Sequence, residues 1–592
     1  MINPRVYRIA FVPALLAVIV ALFSLEPLPP PIEESPATST FDARGVAATT
    51  RALVELAPDR SPGSSGDAAV ADFVEERFRG QRTGSVAEQH FEANIGGEQV
   101  ELRNVILTLP GESERGLLIL AHRDSINEEG AASSAAATAI LLELVDQFGG
   151  SRHVQNLIFA STDGGTLGGI GAQELLKALP NVEAIDAALV ISQPGALKER
   201  PPFLITSSNG AQSASAQLVE TAAAILREQT DRSPGLAGPL GDLARLAFPG
   251  GLGEQAVLTE RGVPAIALSS AGEAPLSAGE DALNKLSSAS LARVGRAALS
   301  TTLAIDQLSE ALERGPGAYL RSGRNLAPGW ALVALGLMLL LPALLTAGDA
   351  TLRAARRRQR LPTAISWAIF RAVPFLAPVL LIYGLGRIGV FPQPAFPFDP
   401  RNFSLDFSEA VALVGLFVVF GLFALAIRPL RAPGRPGPQV LAAAAGLLAT
   451  LAVLGIWLQN PYLGLILAPT AHVWLLGARE RGPLPTPLTL VAVVASALPV
   501  GLAAIYVADQ IELGLVAPWK LVVLMTSGQI PLGISSLLCV LAGSLIGSIA
   551  VARLARRQDR SPEPVEVTMR GPMTYAGPGS LGGTDSAMPR HG

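Results

Sequence analysis

Apolar and polar positions are arranged on two scales along this chain. Between about residues 40 and 314, short apolar runs at 105–109, 117–121, 157–161, 187–191, 203–206 and 265–268 alternate with amphipathic stretches. Those stretches lie at 68–78, 134–148, 214–228 and 289–312. Runs such as LLIL and LIFA suit strands buried on both faces. Their alternation with helical patterns predicts a layered α/β fold with a largely parallel sheet.

From residue 328 the apolar segments become long enough to span a bilayer. Seven are legible, at 328–347, 368–390, 409–427, 440–458, 462–477, 488–507 and 532–552. An eighth apolar run, 9–25, follows Arg5 and Arg8 and precedes a proline-rich linker, 26–40. It is read as an uncleaved signal-anchor span, a cleaved signal peptide being the other reading. Basic clusters at 353–360, at Arg428, Arg431 and Arg435, at Arg479 and Arg481, and at 553–560 all fall on one side if eight segments cross. By the positive-inside rule that side is cytoplasmic, with both chain termini, and the large domain is extracytoplasmic. The expected organisation is a cytoplasmic 1–8, a span at 9–25, the linker, a domain at 41–314, a seven-span bundle at 328–554 and a disordered tail at 555–592. The short apolar stretch 516–525, broken by Pro518, is read as a re-entrant or interfacial piece.

Composition agrees with a multi-pass cell-membrane protein. Charged residues are 16% of 592 and mean hydropathy is +0.40, against about 25% charged in soluble domains. A net charge of −4 gives no basic excess, which argues against a nucleic-acid partner. Cys539 is the only cysteine, which excludes an intrachain disulfide and any multi-cysteine metal site. The five histidines are His90, His122, His153, His472 and His591.

The segment GLLILAHRDSINEEGAASSAAATAILLELVDQF carries the chemistry. With DRSPGSSGDAAVADFVEERF and RNVILTLPG before it, and IFASTDGGTLGGIGAQELL and RGVPAIALS after it, it resembles the di-zinc aminopeptidase family of metallo-exopeptidases. The resemblance covers most of 46–312. It implies a three-layer α/β/α aminopeptidase-like exported domain, joined here to an all-α transmembrane bundle with one N-terminal and seven C-terminal spans. Such enzymes clamp the attacking water and the scissile carbonyl between two zinc ions about 3.5–4 Å apart. By the resemblance, His122 matches a histidine ligand and Asp124 the carboxylate that orients it. Ser133 stands at the bridging aspartate's place, Gly165 at the general base's, Thr166 at a glutamate ligand's, Gln193 at the next aspartate's and Gln255 at the last histidine's.

Neutral oxygen donors do not offset paired dications, and glycine accepts no proton. The expectation is therefore a cleft without cofactor or catalytic residue, zinc belonging only to the alternative of an active membrane-bound metallo-aminopeptidase with atypical ligands. Asp163, Glu128, Glu129, Glu254 and Glu273 are the acids near the predicted strand ends that such an alternative would draw on. A plainer reading makes His122 and Asp124 a hydrogen-bonded pair shaping a loop, and Asp163-Gly164-Gly165 a turn. Gly168, Gly169 and Gly171 do not form a dinucleotide fingerprint, and no G-x-S-x-G elbow occurs. His472 is expected to be packed and hydrogen-bonded within a span; Arg371 and Arg387 are expected to snorkel from span ends.

The layout of the whole chain resembles the aminopeptidase-like subunit family of the glycosylphosphatidylinositol (GPI) transamidase. This implies a pseudo-peptidase whose outer domain binds a peptide, a protein terminus or a lipid-linked glycan, with lipid bilayer and membrane subunits as partners. A transporter with an accessory outer domain is the remaining alternative.

Overall fold

The computed structural model describes residues 4–32, 40–95, 98–126, 129–308, 310–394, 403–428, 436–478, 485–514 and 517–560. Glu128, Arg431, Arg435, Arg479, Arg481 and the tail from 561 lie outside them. Helix α1 (Pro4–Phe23) leads into β1 (Glu26–Pro27) and then the outer domain. The domain begins with α2 (Ala43–Leu56), α3 (Ser65–Arg79), β2 (Ser85–Ile95), β3 (Glu98–Leu109) and β4 (Gly116–His122). It continues through α4 (Ala136–Phe148), β5 (Asn156–Thr162), α5 (Ile170–Ala178), β6 (Ile185–Ile191) and β7 (Leu204–Ile205). It closes with α6 (Ala216–Thr230), α7 (Pro239–Ala247), α8 (Glu254–Glu260), β8 (Ala265–Leu268) and α9 (Ser288–Asp306).

The seven strands run in the order β2-β3-β5-β4-β6-β8-β7. The central four, β5, β4, β6 and β8, are mutually parallel, and the joins toward both edges are antiparallel. The sheet is thus mixed, and the largely parallel expectation holds for its centre alone. One apolar cluster packs α2, α3, α4, α6 and α9 on one face, and a smaller one packs α5 and α8 on the other. Those clusters are the layers of an α/β/α sandwich. Strand β4 sits in the middle with residues 117–121 fully buried, so its last residue, His122, emerges at the carboxyl edge of the sheet where α/β folds bind ligands.

Beyond the domain, the hairpin β9 (Tyr319–Ser322) and β10 (Asn325–Pro328) pairs with β1, tying the exit of α1 to the entry of α10 (Gly329–Arg356). The remaining helices are α11 (Leu361–Arg387), α12 (Phe407–Ala426), α13 (Pro438–Gln459), α14 (Pro461–Leu467), α15 (Thr486–Gln510), α16 (Ala517–Thr526) and α17 (Leu532–Arg560). Among the described residues seven helices, α1 included, are long and apolar enough to cross a membrane. The expected eighth crossing is built differently. Helix α14 passes at Ala468 into a 3-10 run, Ala468–Ala478. Pro469 has no N–H to donate to a carbonyl of the preceding turn, so the α-helical ladder is interrupted there. At roughly 1.5 Å per α residue and 2.0 Å per 3-10 residue, the two together rise about 32 Å, still a bilayer's depth.

The 3-10 run is held against its neighbours. A Cβ on Gly446 of α13 would lie 2.3 Å from the buried Trp474 ring, so that helix approaches as closely as glycine permits. As expected, His472 is packed and satisfied: its Nδ1 lies 3.1 Å from the Tyr7 hydroxyl of α1, and its Nε2 lies 3.0 Å from the Leu339 carbonyl of α10. Arg371 departs from expectation. Its guanidinium stacks 3.4 Å above the Trp367 ring and donates to the Trp367 carbonyl, so it is buried and does not snorkel. All five tryptophans, from Trp330 onward, lie in this half of the chain, and residues 41–314 contain neither tryptophan nor tyrosine.

The domain meets the bundle through α7. Ala244, Leu246 and Ala247 join an apolar cluster with Leu332, Tyr462 and Val507. Asn460, between α13 and α14, donates through Nδ2 to the Leu246 and Ala247 carbonyls, 3.1 Å each, while its Oδ1 caps α14 at the Tyr462 and Leu463 amides. Helices α10, α14 and α15 therefore present their domain-side ends together. Arg353, Arg356 and Arg357 lie at the opposite end of α10.

Candidate functional site

Beyond His122 the chain turns back through Arg123 and Asp124. The His122 Nδ1 stands 3.2 Å from the Asp124 carbonyl oxygen and 3.4 Å from its Oδ1. The Asp124 carboxylate then accepts from the Gly165 amide (2.8 Å), from the Thr166 amide (2.9 Å) and from the Thr166 hydroxyl. His122, Asp124, Gly165 and Thr166 are thus one hydrogen-bonded unit. Gly164, at φ +70°, makes the turn that brings the amides of Gly165 and Thr166 round to the carboxylate. A Cβ on Gly165 would lie 2.2 Å from His122 Cβ and 2.4 Å from its Cγ, so no side chain starts there without displacing the imidazole.

The other three positions are bound elsewhere. The Ser133 amide and hydroxyl both donate to Asp281, whose Oδ1 also takes the Ala132 amide at 2.7 Å. That carboxylate caps the π-turn Ala131–Ala135, from which α4 grows. Gln193, at φ +39°, accepts from the Leu276 amide at 2.8 Å and donates to the Ala274 carbonyl at 3.2 Å. Gln255 Nε2 donates to Ser207 Oγ at 3.1 Å, and Ser207 donates to Glu273 Oε1 at 2.5 Å.

Of the acids considered as replacements, Glu254 has a charge that acts on His122. It is fully buried on α8 and accepts from the Thr162 hydroxyl at 2.5 Å. Glu273 is engaged by Arg245 at 2.6 Å, and Glu129 Oε2 by the Leu283 amide at 2.7 Å. Asp163 belongs to a separate buried group. The Arg123 guanidinium, with no exposed surface, lies 2.6 Å from Asp67 and 3.4 Å from Asp163, and also donates to the Ser161 and Arg103 carbonyls. Burial outweighs the attraction of Arg123 and pushes Asp163 up to about 8.

Two residues at the site fell outside the sequence reading. Arg60 is completely buried, donating to the carbonyls of Ala57, Arg123 and Glu129 and to Ser134 Oγ, so it clamps both ends of the 123–134 loop. The RSPGS segment contained it, without marking it as a loop clamp. Asp281 lies in a polar stretch with no pattern to single it out.

The family resembled implies two zinc ions, and these donors do not fit them. Among the described residues no three histidine, cysteine or carboxylate side chains converge as a metal site requires. Burial opposes a charged imidazole. The Asp124 hydrogen bond and charge, with the charge of Glu254, outweigh it and push His122 up to about 9. Burial raises Asp124 as well, but His122 and Thr166 bring it down to about 2. Glu254 is raised by burial. The arrangement is an internal ion pair, not a set of open metal donors.

That pair predicts a pH dependence. His122 takes up a proton on folding at any pH between its ordinary 6.5 and about 9. Its stabilisation is complete below the lower value and is lost as pH rises through the upper one. The shift corresponds to about 3 kcal/mol at most. Hydrogen exchange of residues 117–121 should report a loss of about 1–3 kcal/mol between pH 6 and pH 10. His122→Asn should make the slope shallower between 6.5 and 9; a level or rising wild-type profile would contradict the pair.

Residues 104–302 match the family model described as Peptidase family M28. This is an aminopeptidase-like domain. Transferrin receptor protein 2 of Mus musculus is 32% identical over 148 residues, covering 21% of this chain and 18% of that protein. The Homo sapiens protein is 38% identical over 98 residues, covering 15% and 12%. The matches thus span less than a fifth of these relatives' own length. Among solved structures, the zinc aminopeptidase BSAP from Bacillus subtilis is similar at 12% identity and TM-score 0.39, over 46% of this chain and 98% of that one. A glutaminyl cyclase from an Acidobacteriales bacterium is similar at 18% identity and TM-score 0.36, over 46% and 99%.

Proposed function

We propose that this chain is a non-catalytic, multi-pass membrane protein whose aminopeptidase-like domain binds a ligand outside the cytoplasm, in the layout of the aminopeptidase-like subunit of the GPI transamidase. The observation that carries the reading is the contact between Gly165 and His122. Where a general base would begin, the His122 side chain already lies within 2.2 Å of the Cβ position at its own Cβ and 2.4 Å at its ring Cγ. The chemistry needs a carboxylate there to take a proton from water, and neither the residue nor the space is present. The neutral Ser133, Thr166, Gln193 and Gln255 add to this, each held by bonds within the domain. The side assignment rests on the arginines at the far ends of the spans.

The test uses the full chain purified in detergent, with zinc measured by mass spectrometry and peptidase activity on a mixed peptide library. Less than one zinc per chain and no release above background are expected. Gly165→Glu should restore neither, and should lower the domain's stability by about 2 kcal/mol or more through overpacking. Two zinc ions per chain, with turnover abolished by His122→Ala, would establish the active metallo-aminopeptidase instead.

A further inference from the structure

The end of the bundle that faces away from the outer domain is strongly basic. Segments 349–364 and 550–560 carry nine arginines against two acids, Asp349 and Asp559. The fold brings both segments to one corner, where Ala354 of α10, Ala364 of α11 and Val551 of α17 pack in a single apolar cluster. Asp349 accepts from the Arg353 Nε at 3.0 Å. Arg356, Arg357, Arg358 and Arg360 are all exposed.

Two of these arginines stand where helix physics favours another residue. Helix α10 closes in a tight turn: the Arg358 amide donates to the Ala355 carbonyl at 2.9 Å, and the Gln359 amide to the Ala354 carbonyl at 3.0 Å. That turn holds Arg358 at φ +53°, the left-handed position that glycine usually takes after a helix. Arg360 is the N-cap of α11 and makes no side-chain bond to the helix's first amides. Serine, threonine, aspartate or asparagine suits that place, and the positive end of the helix dipole repels a cation there.

Other causes account for the remainder. The positive-inside rule explains why this end is basic, but arginines anywhere near the span ends would satisfy it. The negative end of the α10 dipole explains Arg353 and Arg356, in its last turn. Neither explains cations at 358 and 360, which break the local preference at both positions and so mark a surface that meets negative charge.

Apolar surface lies beside the cations. Leu352 is 60% exposed next to Arg353, and Leu554 is 37% exposed next to Arg553. A phospholipid covers both kinds of surface, acyl chain against leucine and phosphate against guanidinium, whereas an acidic protein segment would leave the leucines open.

We propose that the α10–α11 turn, with the adjoining end of α17, binds the phosphate headgroup of an anionic phospholipid in the leaflet away from the outer domain. The guanidinium fork suits phosphate oxygens, and the hydrogen-bonded turn presents its arginines already in place. This goes beyond the role proposed above and is independent of what the outer domain binds.

The experiment places the full chain in phosphatidylcholine nanodiscs with or without phosphatidylglycerol, and native mass spectrometry counts the phosphatidylglycerol retained. Selective retention is expected. Arg358→Gly and Arg360→Asn should each weaken it about 5-fold, the worth of one arginine at an anionic surface. Thermal unfolding followed by tryptophan emission should show both variants at least as stable as the parent. Arg358→Lys and Arg360→Lys, which keep the charge, should retain most of the lipid. Unchanged retention in Arg358→Gly and Arg360→Asn would overturn the proposal. Binding of inorganic phosphate as tightly as the lipid, or displacement of the lipid by a polyglutamate peptide, would overturn it too.

Discussion

Replacing Arg123 by methionine should destabilise the outer domain by about 3–5 kcal/mol, because it leaves two buried carboxylates without their cation. Asp67 and Asp163 are both nearly inaccessible, and Arg123 is the cation between them. With Asp163 held near 8, one carboxyl stays protonated at neutral pH while the other remains paired with the guanidinium. Methionine matches the volume without the charge, so folding would require a second proton. The loss should therefore be larger at pH 8 than at pH 5, where both acids can be neutral. Arg123→Lys should fall between, keeping the charge but not the donors that reach the Ser161 and Arg103 carbonyls. Hydrogen exchange of residues 117–121 measures the effect. A pH-independent loss below about 1 kcal/mol would mean that the cluster is solvated.

Asn460→Ala should weaken the joint between domain and bundle by about 2–4 kcal/mol. One side chain makes four bonds there, two to carbonyls at the end of α7 and two to amides at the start of α14. Alanine would leave the α7 carbonyls unmatched in a buried place and remove a helix cap. Asn460→Ser would keep the cap and lose only the bridge, so it should cost less. Asn460→Asp should cost most, since it sets a carboxylate against two carbonyl oxygens. Exchange at α7 should rise in all three, while residues 117–121 stay protected. Unchanged exchange at α7 would show that the apolar contacts suffice without the asparagine.

The sequence made the sheet's centre plain because β4, β5, β6 and β8 are apolar on both faces. It concealed β2, whose SVAEQHFEANI reads as polar because an edge strand keeps much of its surface in water. Helix α7 was hidden between glycines and prolines, although it carries much of the junction with the bundle. At the site, His122, Asp124 and Gly165 stood out because the order of motifs resembling the di-zinc aminopeptidases gave each a place to be compared with. Arg60, Asp67 and Asp281 did not, since buried hydrogen bonds and ion pairs join residues tens to hundreds of positions apart and leave no local period. The apolar segment 462–477 was legible by hydropathy, but its change from α to 3-10 winding accompanies the close approach of α13, which hydropathy does not record.

The placement of the aromatic residues makes the molecule optically divided. With every indole at or beyond Trp330 and no phenol within 41–314, emission excited near 295 nm arises from the bundle alone. The outer domain can unfold without changing that signal. A single tryptophan substituted for Phe41, which is partly exposed and packs over Gly295, would stand as that domain's sole fluorophore. Energy transfer from Trp330 to an acceptor dye near α7 would then follow separation of the two halves, independently of whether either half has melted.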